Sequence, residues 1–245
     1  VDFRPNLEVN NIIRSNYADL HRLCLSSPGA IVLPSFETKQ GHVFKDRGLM
    51  RDVRAAVYAR DIVPFRVDVY KQGVFASDYA RWLETSPGHV YHVDHQEGYE
   101  PYVIVSRALC PFYDTRFVGY GYNKVQHILH LNHLGFQFHV LGGSYVVADP
   151  HPPSTSRVVL YETSNKEEKR RRKAHLDDLY RAFRSELERG ELDNHQPAPY
   201  VDAFREATLP TVADWATSMR APMCVAGEGG DGQAYGRSMA NSLSA

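Results

Sequence analysis

The chain has 245 residues, 43% of them hydrophobic and 23% charged, with a formal net charge of -1. That length can bury one large core or two modest ones, and a single α/β domain is the leading expectation. The charge balance gives no bulk attraction to nucleic acid or an anionic membrane, and no apolar run approaches the roughly 20 residues that cross a bilayer.

In chain order, Val1–Asn6 reads as a strand end that turns at Pro5 into a helix over Leu7–Leu25. Ala30–Leu33 is a short apolar run before Pro34 and predicts a buried strand. Lys45–Ala59 mixes apolar and charged residues, as an exposed helix does, and Phe65–Tyr70 alternates like a half-buried strand. Ser77–Leu83 predicts a short helix presenting Tyr79 and Trp82; for Trp82, core packing outweighs stacking on a sugar. His89–Val93, Tyr102–Ser106, Phe136–Leu141 and Ser144–Val147 predict strands, and Asn123–Asn132 a helix with Val125, Ile128 and Leu129 on one face. Lys166–Leu192 is strongly charged, yet Leu176, Leu179, Tyr180, Phe183 and Leu187 recur at helical spacing, so an amphipathic helix should dock on the preceding domain. Its basic run, Lys169–Lys173, reads as a solvated face rather than an anion site or address signal. Residues 1–192 are expected to form one domain and 193–245 an extension, disordered from about Pro222 where Gly, Ser and Ala dominate.

The most informative stretch is Tyr99–Val105 followed by Tyr113–Lys124. An aromatic-acid-proline turn enters an apolar strand; an acid, Asp114, and a Gly-x-Gly turn, Gly119 to Gly121, then lead into a helix. Glycine removes the Cβ that would keep a ligand from the backbone, and strand ends present polar groups. Fifteen tyrosines and twelve histidines suit stacking on sugars and equally suit filling a core. Cys24, Cys110 and Cys224 show no metal-ligand spacing, and an odd count allows at most one disulfide.

Seven stretches, Pro34–Thr38, Tyr70–Gly73, Tyr79–Trp82, Tyr99–Val105, Cys110–Asp114, Arg116–Lys124 and Pro150–Ser154, occur in the order and at the approximate spacing of glycosyltransferase family 49. The chain resembles the glucuronate-transferring, LARGE-type members of that family over about residues 1–190. The resemblance implies a mixed-sheet α/β fold of GT-A type, here its acceptor-side part without the N-terminal nucleotide-binding half. It also implies a UDP-sugar donor, a glycan or glycoprotein acceptor, a divalent metal (usually Mn2+), the Golgi lumen, and a membrane anchor only upstream of this chain. Val1-Asp2-Phe3 looks like the end of the family's Asp-x-Asp motif, so the chain is expected to be a fragment or a processed product.

On that resemblance Asp2 and His151 are the metal ligands; read by themselves, they are a turn acid before Pro5 and a loop histidine. Ala148 stands where the family often has a second histidine, with Asp149 as a partial replacement, and Val74 where it often has one after the equivalent of Gly73. An inverting transfer needs a base for the acceptor hydroxyl. Where many GT-A enzymes have a Glu-Asp pair, this chain has Asn123-Lys124, as the family does, so Glu100 and Asp114 are the carboxylate candidates, with Asp94 third. Glu100 is favoured because it precedes Pro101 at a strand mouth; Asp114 can instead brace Arg116. Lys71, Tyr102, Gly119, Gly121, Asn123 and Lys124 complete the substrate-binding set, Lys71 and Lys124 as partners for an anionic donor, with surface cations and a helix cap as the alternatives. The function expected is metal-dependent inverting transfer of a sugar, glucuronate first, to a glycan hydroxyl. The rival is an inactive relative that binds glycans or supports a partner enzyme.

Overall fold

In a computed structural model, residues 3–26, 28–38, 44–45, 48, 50–119, 121–148, 150, 152, 158 and 165–192 are described. All of them lie within one unit, Val1–Thr208. The expected extension at 193–245, with its tail beyond Pro222, lies outside the described residues.

The expected α/β architecture with mixed sheets is present. In chain order the elements are β1 (Phe3–Pro5), α1 (Val9–Ser15), α2 (Tyr17–Ser26), β2 (Gly29–Leu33), β3 (Ser35–Thr38), α3 (Met50–Tyr58), β4 (Ile62–Pro64), α4 (Gln72–Phe75), α5 (Tyr79–Glu84), β5 (Val90–Val93), β6 (Tyr102–Ile104), α6 (Asn123–His133), β7 (Gln137–Leu141), β8 (Val146–Ala148) and α7 (Lys166–Glu188).

Two four-stranded sheets share one plan, a central parallel pair flanked by antiparallel edge strands: β5-β7-β2-β6 and β1-β8-β3-β4. Consecutive strands β2 and β3 run beside consecutive strands β7 and β8. Pro34 separates the first two because it has no N–H for a ladder, while its carbonyl still accepts from the Val146 N–H at 2.9 Å. Every residue of β2 is buried, since both faces of its sheet are covered. Ala30 and Val32 join Phe138, Val140, Ile128 and Leu131 in the main core; Ile31 and Leu33 meet Val9, Ile12 and Leu20 of α1 and α2 on the other face.

The main core is anchored by Trp82, fully buried, whose indole N–H donates to the Leu141 carbonyl at 3.0 Å and whose ring meets Phe36 and Tyr145. Core packing is therefore its role. A third cluster, Phe117, Val125, Tyr180, Phe183 and Leu187, fastens α7 to α6. The helical spacing in α7 thus marked its docking face, and Arg170–Arg172 are exposed.

Two local expectations fail for physical reasons. The helix expected over Leu7–Leu25 is two helices, broken at Asn16, whose side-chain amide donates to the Ile12 carbonyl at 2.8 Å. Phe65–Tyr70 is a series of turns rather than a strand: Arg66 sits at φ 54°, and its carbonyl takes the N–H groups of both Val69 and Tyr70. The strand there is β4, three residues earlier in the chain.

Gly29 begins β2 against α2, and a Cβ there would lie 2.3 Å from the Leu23 carbonyl oxygen, which is backbone. Gly29→Ala should therefore force α2 off the sheet and lower stability by about 1–3 kcal/mol. Urea unfolding measures this, and an unchanged midpoint would mean that α2 yields freely.

Candidate active site

Glu100, Tyr102 and Lys124 come together. The Lys124 ammonium donates to the Glu100 carbonyl at 3.1 Å, stands 3.8 Å from the Glu100 carboxylate and lies 4.0 Å from the centre of the Tyr102 ring. The two charged side chains are only 26% and 29% exposed. Each element contributes for a reason that is local to it. Glu100 ends the turn before β6, with its N–H bound to the Gly73 carbonyl at 2.8 Å. Tyr102 opens β6, and Lys124 lies in the first turn of α6.

Burial is the first influence on both ionisations. It pushes the Glu100 carboxyl above the usual carboxylate range, opposed by the nearby positive charges of Lys124 and Arg66. It pulls the Lys124 ammonium below the usual lysine value; Glu100 opposes this and Arg66 adds to it. Two cations therefore serve one carboxylate. Arg66 was missed from sequence because its surroundings read as a strand. Its backbone N–H donates to the Glu37 carboxylate at 2.9 Å, and Glu37 is a second residue that sequence reasoning passed over, although it lies in the Pro34–Thr38 stretch.

The Gly-x-Gly turn takes the conformation its glycines permit, with φ 86° at Gly119 and 117° at Gly121. Asn123 is the first residue of α6 rather than its cap. Its side-chain amide donates to the Phe117 carbonyl at 2.8 Å and so closes the turn. Asp114 holds Arg116: the guanidinium Nε lies 2.9 Å from Asp114 Oδ2, while Arg116 Nη1 reaches Glu186 of α7 at 2.8 Å. That is the bracing role weighed above. Lys71 is exposed, its ammonium 4.5 Å from the centre of the Phe75 ring. Asp94 is exposed and lies 3.9 Å from His92.

Asp2 and His151 lie outside the described residues. Their chain neighbours carry the relevant geometry. Phe3, next after Asp2, pairs across the ladder with Ala148, three residues before His151. Ala148 also pairs with Glu37 on its other side. The Phe3 ring touches Tyr102, 4.4 Å between centroids, and Phe65, at 4.8 Å. The ends of β1, β8 and β3 thus meet beside the Glu100–Tyr102–Lys124 group. Among the described residues no three His, Cys, Asp or Glu side chains are placed to hold a metal ion. A cavity lined by Asn6, Ile12, Val53, Pro87, Gly143 and Tyr145 includes none of the candidate residues.

The model of a family described as "Glycosyl-transferase for dystroglycan" matches residues 1–188. The xylosyl- and glucuronyltransferase LARGE2 of Rattus norvegicus is 34% identical over 154 residues, which is 63% of this chain and 22% of that protein. LARGE2 of Homo sapiens is 36% identical over 156 residues, 63% of this chain and 21% of the relative. LARGE1 of Homo sapiens is 32% identical over 155 residues, 63% and 20% respectively. The chain spans about a fifth of the length of these relatives.

Lys124→Met removes a cation that pulls the Glu100 ionisation down, so Glu100 should titrate at still higher pH in that variant. A carboxyl raised in the folded state stabilises the fold below its unfolded pKa, and this is lost as pH rises through the folded one. The variant should therefore extend that window upward. Side-chain carboxyl NMR of Glu100 against pH measures the midpoint, and an unmoved midpoint would show that the two groups do not interact.

Proposed function

The chain belongs to the family of glycosyl-transferases for dystroglycan, and on that premise we propose that it serves transfer of a sugar from a UDP-sugar to a glycan hydroxyl with inversion. The observation that carries the reading is the convergence of Glu100, Tyr102 and Lys124 beside Phe3, the neighbour of Asp2. Glu100 is the base. Burial raises its proton affinity, which suits a general base, and the Lys124 and Arg66 charges oppose that rise. The acceptor oxygen forms its bond to the anomeric carbon as the bond to the diphosphate oxygen breaks. The hydroxyl proton passes to the Glu100 carboxylate, and UDP departs.

Lys124 and Arg66 both bring positive charge to the neighbourhood of Glu100. A cationic neighbourhood suits an anionic donor, and glucuronate is the sugar whose own carboxylate would use it. Tyr102 offers a ring face to a sugar, although its other contacts, Phe3 and the Lys124 ammonium, set its orientation. Gly119 and Gly121 let the acceptor approach the turn before α6.

Asp2 and His151 would hold a divalent cation, Asp2 through a carboxylate oxygen and His151 through an imidazole; Phe3, next to Asp2, and Ala148, three residues before His151, are paired across one ladder. When bound, the ion neutralises charge on the departing diphosphate. Manganese, a Golgi-lumenal setting and a glycoprotein acceptor follow from the family reading and belong to this proposal.

UDP release with UDP-glucuronate or UDP-xylose as donor tests it. Glu100→Gln should lower kcat by roughly 10²–10⁴ with little change in donor KM. Lys124→Met should raise KM for UDP-glucuronate about tenfold, the size of a lost charge-assisted hydrogen bond, and leave UDP-xylose nearly untouched. Asp2→Ala and His151→Ala should each abolish the manganese-stimulated UDP release. Undiminished rates in Glu100→Gln would remove the base, and no UDP release from the parent protein would favour a binding role.

A further inference from the structure

We propose that helix α7 positions Lys124 by gripping Tyr122, with Tyr180 as the positioning residue. Tyr122 is the residue before α6, two before Lys124, and its φ of 55° is left-handed. A bulky side chain occupies that region only when surrounding contacts hold it there. Those contacts come from α7. The Tyr122 and Tyr180 rings stack at 4.5 Å and 8°, and the Tyr122 hydroxyl donates to Asp177 at 2.9 Å. The Tyr122 carbonyl in turn accepts from the Gln126 N–H at 2.8 Å, so the angle held at Tyr122 sets the direction in which α6, and Lys124 with it, leaves the turn.

Tyr180 also reaches the other half of the pair. Its hydroxyl donates to the Glu97 carboxylate at 2.9 Å, and Arg184 stands 3.5 Å from the same carboxylate, three residues before Glu100. One side chain therefore touches both segments that bring Glu100 and Lys124 together. The helix is itself fixed, by Phe183 buried against Phe117 and His130 and by Glu186 on Arg116. The Lys124 ammonium meets Glu100 and Tyr102, and the influence of Tyr180 and Asp177 on it passes through Tyr122. The inference rests on the reading of Glu100 and Lys124 as reacting groups only in its activity readout.

The variants are Tyr180→Leu, which loses the stack, Tyr180→Phe, which keeps it, and Asp177→Ala, at a half-exposed helix position. The first readout is independent of catalysis: lysines of the full chain are 13C-methylated and the Lys124 resonance, identified by its absence in Lys124→Met, is followed against pH. Its midpoint should move up toward that of an ordinary lysine in Tyr180→Leu and, less far, in Asp177→Ala, and stay in place in Tyr180→Phe. Circular dichroism and thermal melts establish that each variant is folded. A Lys124 midpoint unmoved in folded Tyr180→Leu and Asp177→Ala overturns the proposal. The second readout is a double-mutant cycle on UDP release: Tyr180→Leu should cost about tenfold in the parent and under twofold in a Lys124→Met background. Equal losses in both backgrounds would mean general damage and overturn it. A moved Lys124 resonance with undiminished activity would uphold the positioning and count against the catalytic reading of the pair instead.

Discussion

An ammonium group that is three-quarters withdrawn from water must have its charge met by protein, and Lys124 imposes that demand on its surroundings. It is met by a carbonyl, a carboxylate and an aromatic face, all from the short stretch Glu100–Tyr102. A single residue thereby ties the first turn of α6 to the entry of β6. The requirement propagates outward. The Glu100 backbone is held by the Gly73 carbonyl, and a Cβ on Gly73 would lie 2.8 Å from the Tyr70 ring, so that crossing of chains stays close. Glu100 is affected as well: burial favours its protonated form, and the charges of Lys124 and Arg66 oppose this.

The sheets explain why this group stands where β1 begins. In open α/β sheets the ends of neighbouring strands form the crevice in which ligands sit. Here β8 is bonded to β1 on one side and to β3 on the other, and Ala148 has Phe3 and Glu37 as its two cross-strand partners. Phe3 then carries the connection from one sheet to the other through the Tyr102 ring, since β6 belongs to the second sheet. The aromatic contact is thus the link between the ends of β1 and β8 and the charged pair before α6. The glycosyl transfer proposed above needs both within one substrate's length.

Much of this was legible in the residue order, and the limits have physical causes. α6 and α7 could be read because their buried faces repeat at helical spacing, and β2 because a run of apolar residues ends at a proline. Glu100, Tyr102 and Lys124, singled out beside the family resemblance, stand together in the structure, since each lies in or next to a motif that includes a turn. Arg66 was not singled out, since Phe65–Tyr70 alternates as a strand would; the alternation conceals a residue with φ 54° held by a carboxylate from β3. The role of Asp114 was open for a similar reason: its Arg116 partner is near in sequence, but the third member, Glu186, is not. Pairing of β1 with β8 joins residues far apart in the chain, Phe3 with Ala148, and no local pattern announces such a register.

Four non-glycine residues among those described have positive φ: Arg60, Arg66, Asp78 and Tyr122. Two of these, Arg66 and Tyr122, flank the charged pair, and each is held by a contact from a distant part of the chain. Glu37 holds the Arg66 N–H, and α7 holds the Tyr122 ring and hydroxyl. Backbone conformations that are locally unfavourable persist when the surroundings over-determine them, and they concentrate where side chains must be aimed. The consequence is a division of labour within the fold. Trp82, Phe36 and Tyr145 keep the chain folded from inside the core, whereas Glu37 holds the Arg66 backbone and Tyr180 the Tyr122 ring beside the charged pair. On the proposed positioning, activity should be sensitive to these peripheral contacts, whose loss the core would survive.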